Sequence, residues 1–121
     1  MSQSSDQLGL LGEEAAARFL QAAGHRILER NFTCPLGEID LITFHEGTLI
    51  FVEVKSLSGD AADPEEHVTP AKQRKLAQLA EYWIAKNRRP QCAYRFDVLS
   101  VVSQPGAEPR VRHIVEAFVP S

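Results

Sequence analysis

The chain has 121 residues and a formal net charge of -3 at pH 7. A hydrophobic fraction of 44% with 24% charged residues excludes a globally disordered chain, and the length fits one ordinary domain, residues 1–121. The mild acidity argues against a nucleic-acid binder, because domains that bind phosphate backbones are usually basic.

Targeting and membrane signals are not evident in the sequence. Residues 1–7 are polar and lack the apolar core of a signal peptide. The longest aliphatic and aromatic run, residues 49–52, is far shorter than the about 20 residues that a membrane span needs. The two cysteines, Cys34 and Cys92, are too few for a disulfide scaffold. We therefore expect a cytoplasmic protein without a membrane partner.

The hydrophobic pattern of the first half predicts a helix and three strands. Residues 6–23 are expected to form an amphipathic helix that ends at Gly24. Its apolar stripe repeats at steps of four residues, at Leu11, Ala15, Phe19 and Ala23, with Ala16 and Leu20 beside them. Three stretches rich in strand-forming residues follow, at 25–33, 38–44 and 48–55, and the last two are expected to form a hairpin.

The second half predicts a polar loop, a helix and two strands. Residues 56–68 are expected to form a mobile polar loop. Thr69 has the character of an N-cap and Pro70 that of a first helical residue. The apolar face of this helix comprises Leu76, Leu79, Ala80, Trp83 and Ile84. With strands at 93–102 and 110–119, the order is α-β-β-β-α-β-β, and the fold class is α/β (or α+β) with a mixed five-stranded sheet flanked by helices.

The hairpin brings two carboxylates together. A two-residue turn at 46–47 places Asp40 opposite Glu53 and Glu38 opposite Lys55, whereas a three-residue turn would shift the register by one. Opposed carboxylates on a sheet, with Cβ atoms about 4.5–5.5 Å apart, repel each other. A hard cation such as Mg²⁺ would relieve that repulsion. Lys55, on the same strand face as Glu53, could then bind a phosphate oxygen or orient a water molecule.

The alternative is an ordinary salt-bridged sheet surface. The core-like sequence around both acidic residues weighs against it, because buried carboxylates need a partner. Two helical residues also leave two interpretations open. Glu13 shares its helix face with small apolar residues and could be a third acidic ligand, or it could merely favour the helix N-terminus. Lys72 could meet a phosphate or could extend along the surface toward solvent.

Four histidines, at positions 25, 45, 67 and 113, show no spacing typical of metal ligands. We expect each of them on the surface or in a turn.

The spacing of Asp40, Glu53 and Lys55 resembles the motif of the PD-(D/E)xK nuclease superfamily. More narrowly, the chain resembles the bacterial YraN family, which is similar to archaeal Holliday-junction resolvases. The segments that carry the resemblance are Gly9–Ala16, Arg30–Asn31, Gly37–Ile42, Phe51–Lys55, Lys72 and Arg95–Asp97.

The resemblance implies a restriction-endonuclease-like domain that hydrolyses DNA phosphodiester bonds, including those of branched DNA. Asp40 and Glu53 would ligate Mg²⁺ or Mn²⁺ together with the carbonyl of Val54, and Lys55 would position the attacking water. Glu13 matches a helix carboxylate that joins the site in resolvase-like relatives. These relatives also imply a homodimer. Leu57 departs from the family pattern, which has a basic residue at that position.

The charge is unevenly distributed along the chain, which weakens the objection to a nucleic-acid partner. Residues 1–68 carry 4 basic and 12 acidic residues, and residues 69–121 carry 9 basic and 4 acidic residues. The basic half could contact a DNA backbone. The contact residues that we predict are Lys72, Arg74, Lys75 and Arg95.

Three other functions stay open from the residues alone. The first is a non-catalytic nucleic-acid-binding module on a nuclease fold. The second is an assembly partner that docks through residues 56–68. The third and most distant is a glycosidase-like carboxylate pair, in which Lys55 has no clear role.

Overall fold

The computed structural model describes residues 3–58, 68–89 and 93–119. Its elements confirm the predicted order α-β-β-β-α-β-β. They are α1 (Gln3–Ala22), β1 (Arg26–Cys34), β2 (Gly37–His45), β3 (Thr48–Ser58), α2 (Pro70–Lys86), β4 (Ala93–Ser103) and β5 (Arg110–Phe118).

The five strands form one mixed sheet in the order β1-β2-β3-β4-β5. Strands β3 and β4 are parallel, and the other neighbouring strands are antiparallel. The two helices pack against opposite faces of the sheet, because alternate strand residues contribute to separate clusters, one with α1 and one with α2. The predicted α+β class with a five-stranded mixed sheet is therefore confirmed.

The hairpin register is as predicted near its turn. Glu46 and Gly47 both have positive φ, of 50° and 80°, as a two-residue turn of the primed type requires. The pairs of the β2–β3 ladder run from His45 with Thr48 to Leu41 with Val52. The residues that follow Leu41 and Val52 outward, Asp40 and Glu53, are not part of this ladder.

The contact face of α1 differs from the predicted stripe. Ala16, Ala17 and Leu20 are fully buried, whereas Leu11 is 63% exposed and Phe19 37% exposed. The predicted face is confirmed for Ala16 and Leu20, with Ala15 partly buried against the same cluster, and is wrong for Leu11 and Phe19. Small residues on the contact face let the helix backbone approach the sheet closely. The predicted end of the helix is confirmed: Gly24 has a φ of 97° and the N–H of the next residue donates to the carbonyl of Leu20.

The predicted start and buried face of α2 are confirmed. Thr69 is the N-cap, and its hydroxyl oxygen accepts the N–H of Lys72 at 3.1 Å. Pro70 begins the helix. The side chains of its apolar face that are buried are Leu76, Leu79, Ala80 and Trp83, with Ile84 partly buried beside them.

The predicted polar loop at 56–68 is only partly described. Residues 56–58 continue β3, so the strand is longer than expected. Residues 59–67 and Cys92 lie outside the described residues. The prediction that the loop is mobile concerns residues 59–67 and stays a prediction. Neither described helix is long and apolar enough to cross a membrane.

The closest approach of α1 to the sheet is at Gly12. A Cβ placed on this residue would overlap Ser56 Oγ and lie 3.0 Å from Ser56 Cβ. We expect Gly12→Ala to destabilise the protein by about 1–3 kcal/mol, because overpacking outweighs the gain in helix propensity. Urea denaturation measures the change. Gly12→Ala in a Ser56→Gly background is the control: it should cost much less, and an equal cost in both backgrounds would refute the steric explanation.

Candidate functional site

Asp40 is held at the point where β2 and β3 stop pairing. The backbone N–H of Val54 donates to Asp40 Oδ2 at 2.8 Å. Val54 lies two residues beyond Val52, the last β3 residue in the ladder. A carboxylate of β2 therefore satisfies a backbone donor of β3, and this contact fixes the Asp40 side chain beside the β3 segment that carries Glu53 and Lys55.

The environment of Asp40 disfavours its negative charge. Burial raises its pKa to about 6, and the hydrogen bond from Val54 N–H opposes this rise only in part. The negative charges of Glu53, Glu13 and Glu38 raise the pKa further. The structure thus brings Glu13 of α1 within electrostatic reach of Asp40.

Glu53 is a buried carboxylate that two lysines contact. It is 9% exposed, and its Oε2 lies 2.8 Å from Lys72 Nζ and 3.4 Å from Lys55 Nζ. The hydrogen bond to Glu53 raises the pKa of Lys72, against the opposing effect of burial. Lys72 therefore does not merely extend into solvent. It crosses from α2 to β3 and neutralises Glu53.

The acidic side chains differ in how their charge is compensated. Glu53 has two ammonium groups within 4.0 Å, whereas no such ion pair of Asp40 is found among the described residues, and Lys72 acts on Asp40 only as a more distant charge. Among the described residues no three His, Cys, Asp or Glu side chains are grouped so as to hold a metal ion. Mg²⁺ can nevertheless bind through one or two carboxylates and keep several waters. The oxygen donors of Asp40 and Glu53 fit that chemistry.

The predicted nucleic-acid residues lie in two places. Lys72, Arg74 and Lys75 are in the first turns of α2, and Arg74 and Lys75 are exposed, off the buried face as expected. Arg95 is on β4, opposite Ile50 in the parallel ladder, on the face of the sheet that packs against α1. The structure does not bring Arg95 to the carboxylates.

Arg95 belongs to a second polar cluster, which sequence reasoning missed. Its guanidinium donates to both carboxylate oxygens of Asp97, at 2.9 and 3.2 Å. His113 Nε2 lies 2.7 Å from Asp97 Oδ2, and the N–H of Glu116 donates to Oδ1 at 2.9 Å. Burial would raise the pKa of Asp97, but the hydrogen bonds from His113 and Arg95 outweigh it and hold the pKa below its ordinary value.

Three of the four histidines meet beside this cluster. His25 is 6% exposed, shares a hydrogen bond of 2.9 Å with Thr43 Oγ1 and stacks on His45 at 4.3 Å between ring centroids. Burial lowers its pKa to about 4, so the ring is neutral at pH 7. The prediction of a surface position is wrong for His25. Strand alternation could have placed His45 on this face, but no sequence spacing joins it to His25 and His113. His67 lies outside the described residues.

The fold and this geometry define an α+β domain with a carboxylate and lysine site where β2 and β3 separate. The sequence model of a family described as "Uncharacterised protein family UPF0102" matches residues 12–101. The chain belongs to this family, which is the YraN family that the sequence resembles.

Proteins of the same family cover nearly the whole chain. A UPF0102 protein of Trichlorobacter lovleyi is 42% identical over 120 residues, which cover 98% of this chain and 94% of the relative. A UPF0102 protein of Symbiobacterium thermophilum is 47% identical over 117 residues, covering 94% of this chain and 98% of the relative.

The raised pKa of Asp40 makes a prediction about stability. The folded state binds a proton at Asp40 up to about pH 6, whereas the unfolded chain releases it near 3.8, so stability falls as the pH rises between these values. Asp40→Asn removes the charge and keeps an oxygen for Val54 N–H. In buffer containing a chelator we expect this variant to be more stable than wild type at pH 7, by up to about 3 kcal/mol, and equally stable near pH 3.5.

Urea denaturation at both pH values checks this expectation. Glu108→Gln, which removes an exposed carboxylate in the β4–β5 connection, is the matched control and should change stability by less than about 0.5 kcal/mol at either pH. A gain for Asp40→Asn that is the same at both pH values would show that Asp40 titrates normally.

Proposed function

We propose that the protein is a metal-dependent endonuclease that hydrolyses DNA phosphodiester bonds, with branched DNA among its substrates. The observation that carries the proposal is the juxtaposition of Asp40, a carboxylate with a raised pKa, and Glu53, a buried carboxylate that two lysines contact. Perturbed carboxylates are concentrated at functional sites, where catalysis offsets the cost of placing like charges together.

Asp40 and Glu53 are the residues that would hold Mg²⁺ or Mn²⁺, with the carbonyl of Val54 as a further oxygen ligand and Glu13 joining directly or through water. A bound divalent cation supplies stabilisation of the charge that develops on the phosphate and makes a bound water more acidic. Asp40 would then act as a carboxylate, since a nearby cation favours its ionised form.

The two lysines have separate tasks in this proposal. Lys55 Nζ lies 3.4 Å from Glu53 on the same strand and would orient the attacking water. The Lys72 side chain is 43% exposed, and Lys72 belongs to a different element, α2. It can leave Glu53 and bind a phosphate oxygen. Arg74 and Lys75 extend the positive charge along the helix, whereas Arg95 is committed to Asp97.

A non-catalytic nucleic-acid-binding module is the second candidate. The observation that favours it is that Lys72 and Lys55 already neutralise Glu53, so the site is satisfied in part without a metal ion. In that case DNA binds without being cleaved, and Lys55→Ala leaves the affinity unchanged. A homodimer rests on the family analogy alone, and sedimentation measurements would test it.

The central test is cleavage. With Mg²⁺ or Mn²⁺ present, wild-type protein should cut at least one of four labelled DNA substrates: junction, flap, single strand or duplex. Asp40→Ala should reduce the rate by at least about 100-fold, because one of the two carboxylates that would hold the metal directly is lost. Glu108→Gln serves as the control and should cut at the wild-type rate. Intact substrates with both metals, together with retained DNA in binding assays, would favour the non-catalytic module.

Lys72 makes a prediction about metal affinity in the absence of DNA. Because its ammonium competes for Glu53 Oε2, Lys72→Met should tighten Mn²⁺ binding by about tenfold, as measured by isothermal titration calorimetry. Lys75→Met, three residues along the same helix, is the matched control and should leave the affinity unchanged. Asp40→Ala should abolish the heat of binding. Equal heats for wild type and Asp40→Ala would remove the metal site, and weaker binding by Lys72→Met would remove the competition.

A further inference from the structure

One side of α2 carries a line of cations around an exposed aromatic ring. Lys75, Tyr82 and Lys86 are spaced by seven and four residues, so they share one helix face, and Arg89 follows just after the helix ends. All four residues are exposed. We call these residues, Lys75, Tyr82, Lys86 and Arg89, the α2 cationic face.

Two of its cations are held in place by aromatic rings. Lys86 Nζ lies 5.7 Å from the centroid of the Phe32 ring, and the Arg89 guanidinium lies 5.9 Å from that of Trp83. Neither these two nor Lys75 forms an ion pair with a carboxylate in the part of the chain that the structure describes. The face therefore presents positive charges that are oriented but not neutralised.

Tyr82 lies between these charges. It is 41% exposed, and its ring lies 6.2 Å from that of Phe32, which supports it from β1. Surfaces that bind single-stranded nucleic acid combine basic residues with aromatic rings on which bases stack. A membrane surface would instead require an exposed apolar face, whereas Leu76, Leu79 and Trp83 of α2 are buried in the core.

The face is continuous with the carboxylate site. Lys72, whose Nζ contacts Glu53, precedes Lys75 by three residues, one step along the same side of the helix. From Lys72 to Lys86 the helix rises by about 21 Å, the length of about six base-pair steps of duplex DNA. A DNA strand at the site would follow this line.

We propose that the α2 cationic face binds the DNA backbone next to the cleavage site and that Tyr82 stacks on an unpaired base of the substrate. The inference rests on the proposed function for the position of the cut. It specifies the substrate further: a DNA with a single-stranded segment adjoining the cut, as in a flap or an opened junction.

Binding measured by fluorescence anisotropy in EDTA tests the face without any cleavage. Across about 50–200 mM salt, Lys86→Gln/Arg89→Gln should lower the slope of log K against log salt by roughly 1.4 to 1.8, because two phosphate contacts are lost. Arg26→Gln/Arg110→Gln is the matched control. It removes the same charge from exposed positions on β1 and β5 and should keep the wild-type slope.

Tyr82→Ala tests the stacking. It should weaken binding to a labelled flap and to a single strand by about tenfold and leave binding to a blunt duplex within twofold of wild type. Thermal melting verifies that each variant is folded.

Three results would overturn the inference. The first is an equal slope for the two double variants, and the second is absence of DNA binding by wild type at the lowest salt. The third is that Lys86→Gln/Arg89→Gln loses binding to phosphatidylglycerol vesicles while its DNA binding is unchanged. The last result would assign the face to a membrane. The binding assay contains no metal, so it is independent of cleavage. If Lys86→Gln/Arg89→Gln changes the slope but wild type does not cleave DNA, only the proposed nuclease is rejected. Cleavage with an unchanged slope rejects only the face.

Discussion

The hydrogen bond from Val54 N–H to Asp40 Oδ2 is the contact on which the candidate site depends. Without it, a backbone donor of β3 beyond the last ladder pair would need another acceptor, because unpaired buried donors cost about 1–3 kcal/mol. The side chain that supplies this acceptor is itself a half-buried acid. This hydrogen bond therefore keeps the Asp40 carboxylate close to Glu53, and the two lysines that contact Glu53 reduce the repulsion between the two carboxylates.

A comparison of Asp40 with Asp97 shows why the first is the better candidate for chemistry. Asp97 is more deeply buried, yet the guanidinium of Arg95, the ring of His113 and a backbone N–H satisfy both of its oxygens, and its pKa is lowered. Asp40 has one backbone donor and its pKa is raised to about 6. Asp97 is thus a completed structural ion pair that joins β4 to β5. The surroundings of Asp40 disfavour its ionised form, and a bound cation would stabilise that form.

The sequence predicted those parts of the fold and site that follow from local rules. Strand alternation and a two-residue turn at 46–47 predicted the β2–β3 register near the turn, where a three-residue turn was the alternative, and a cap followed by proline predicted the start of α2. The exposure of Leu11 and Phe19 on α1 was not predictable in this way, since close packing against the sheet selected the neighbouring face instead. The cluster of His25, Asp97 and His113 joins residues up to 88 positions apart from three separate segments, so no spacing in the sequence reveals it.

The net charge of -3 is a poor guide to the surface that a partner would meet. Coulomb interactions between exposed groups are screened beyond about 8–10 Å, so a ligand responds to the local charges and not to the sum. Along α2 the exposed cations outnumber the single acid, Glu81, and two of them rest on aromatic rings, which reduces the entropy lost when they bind an anion. An acidic protein can therefore present a basic track. Its acidic residues elsewhere oppose indiscriminate DNA binding, which favours substrates that are recognised by shape over long duplexes.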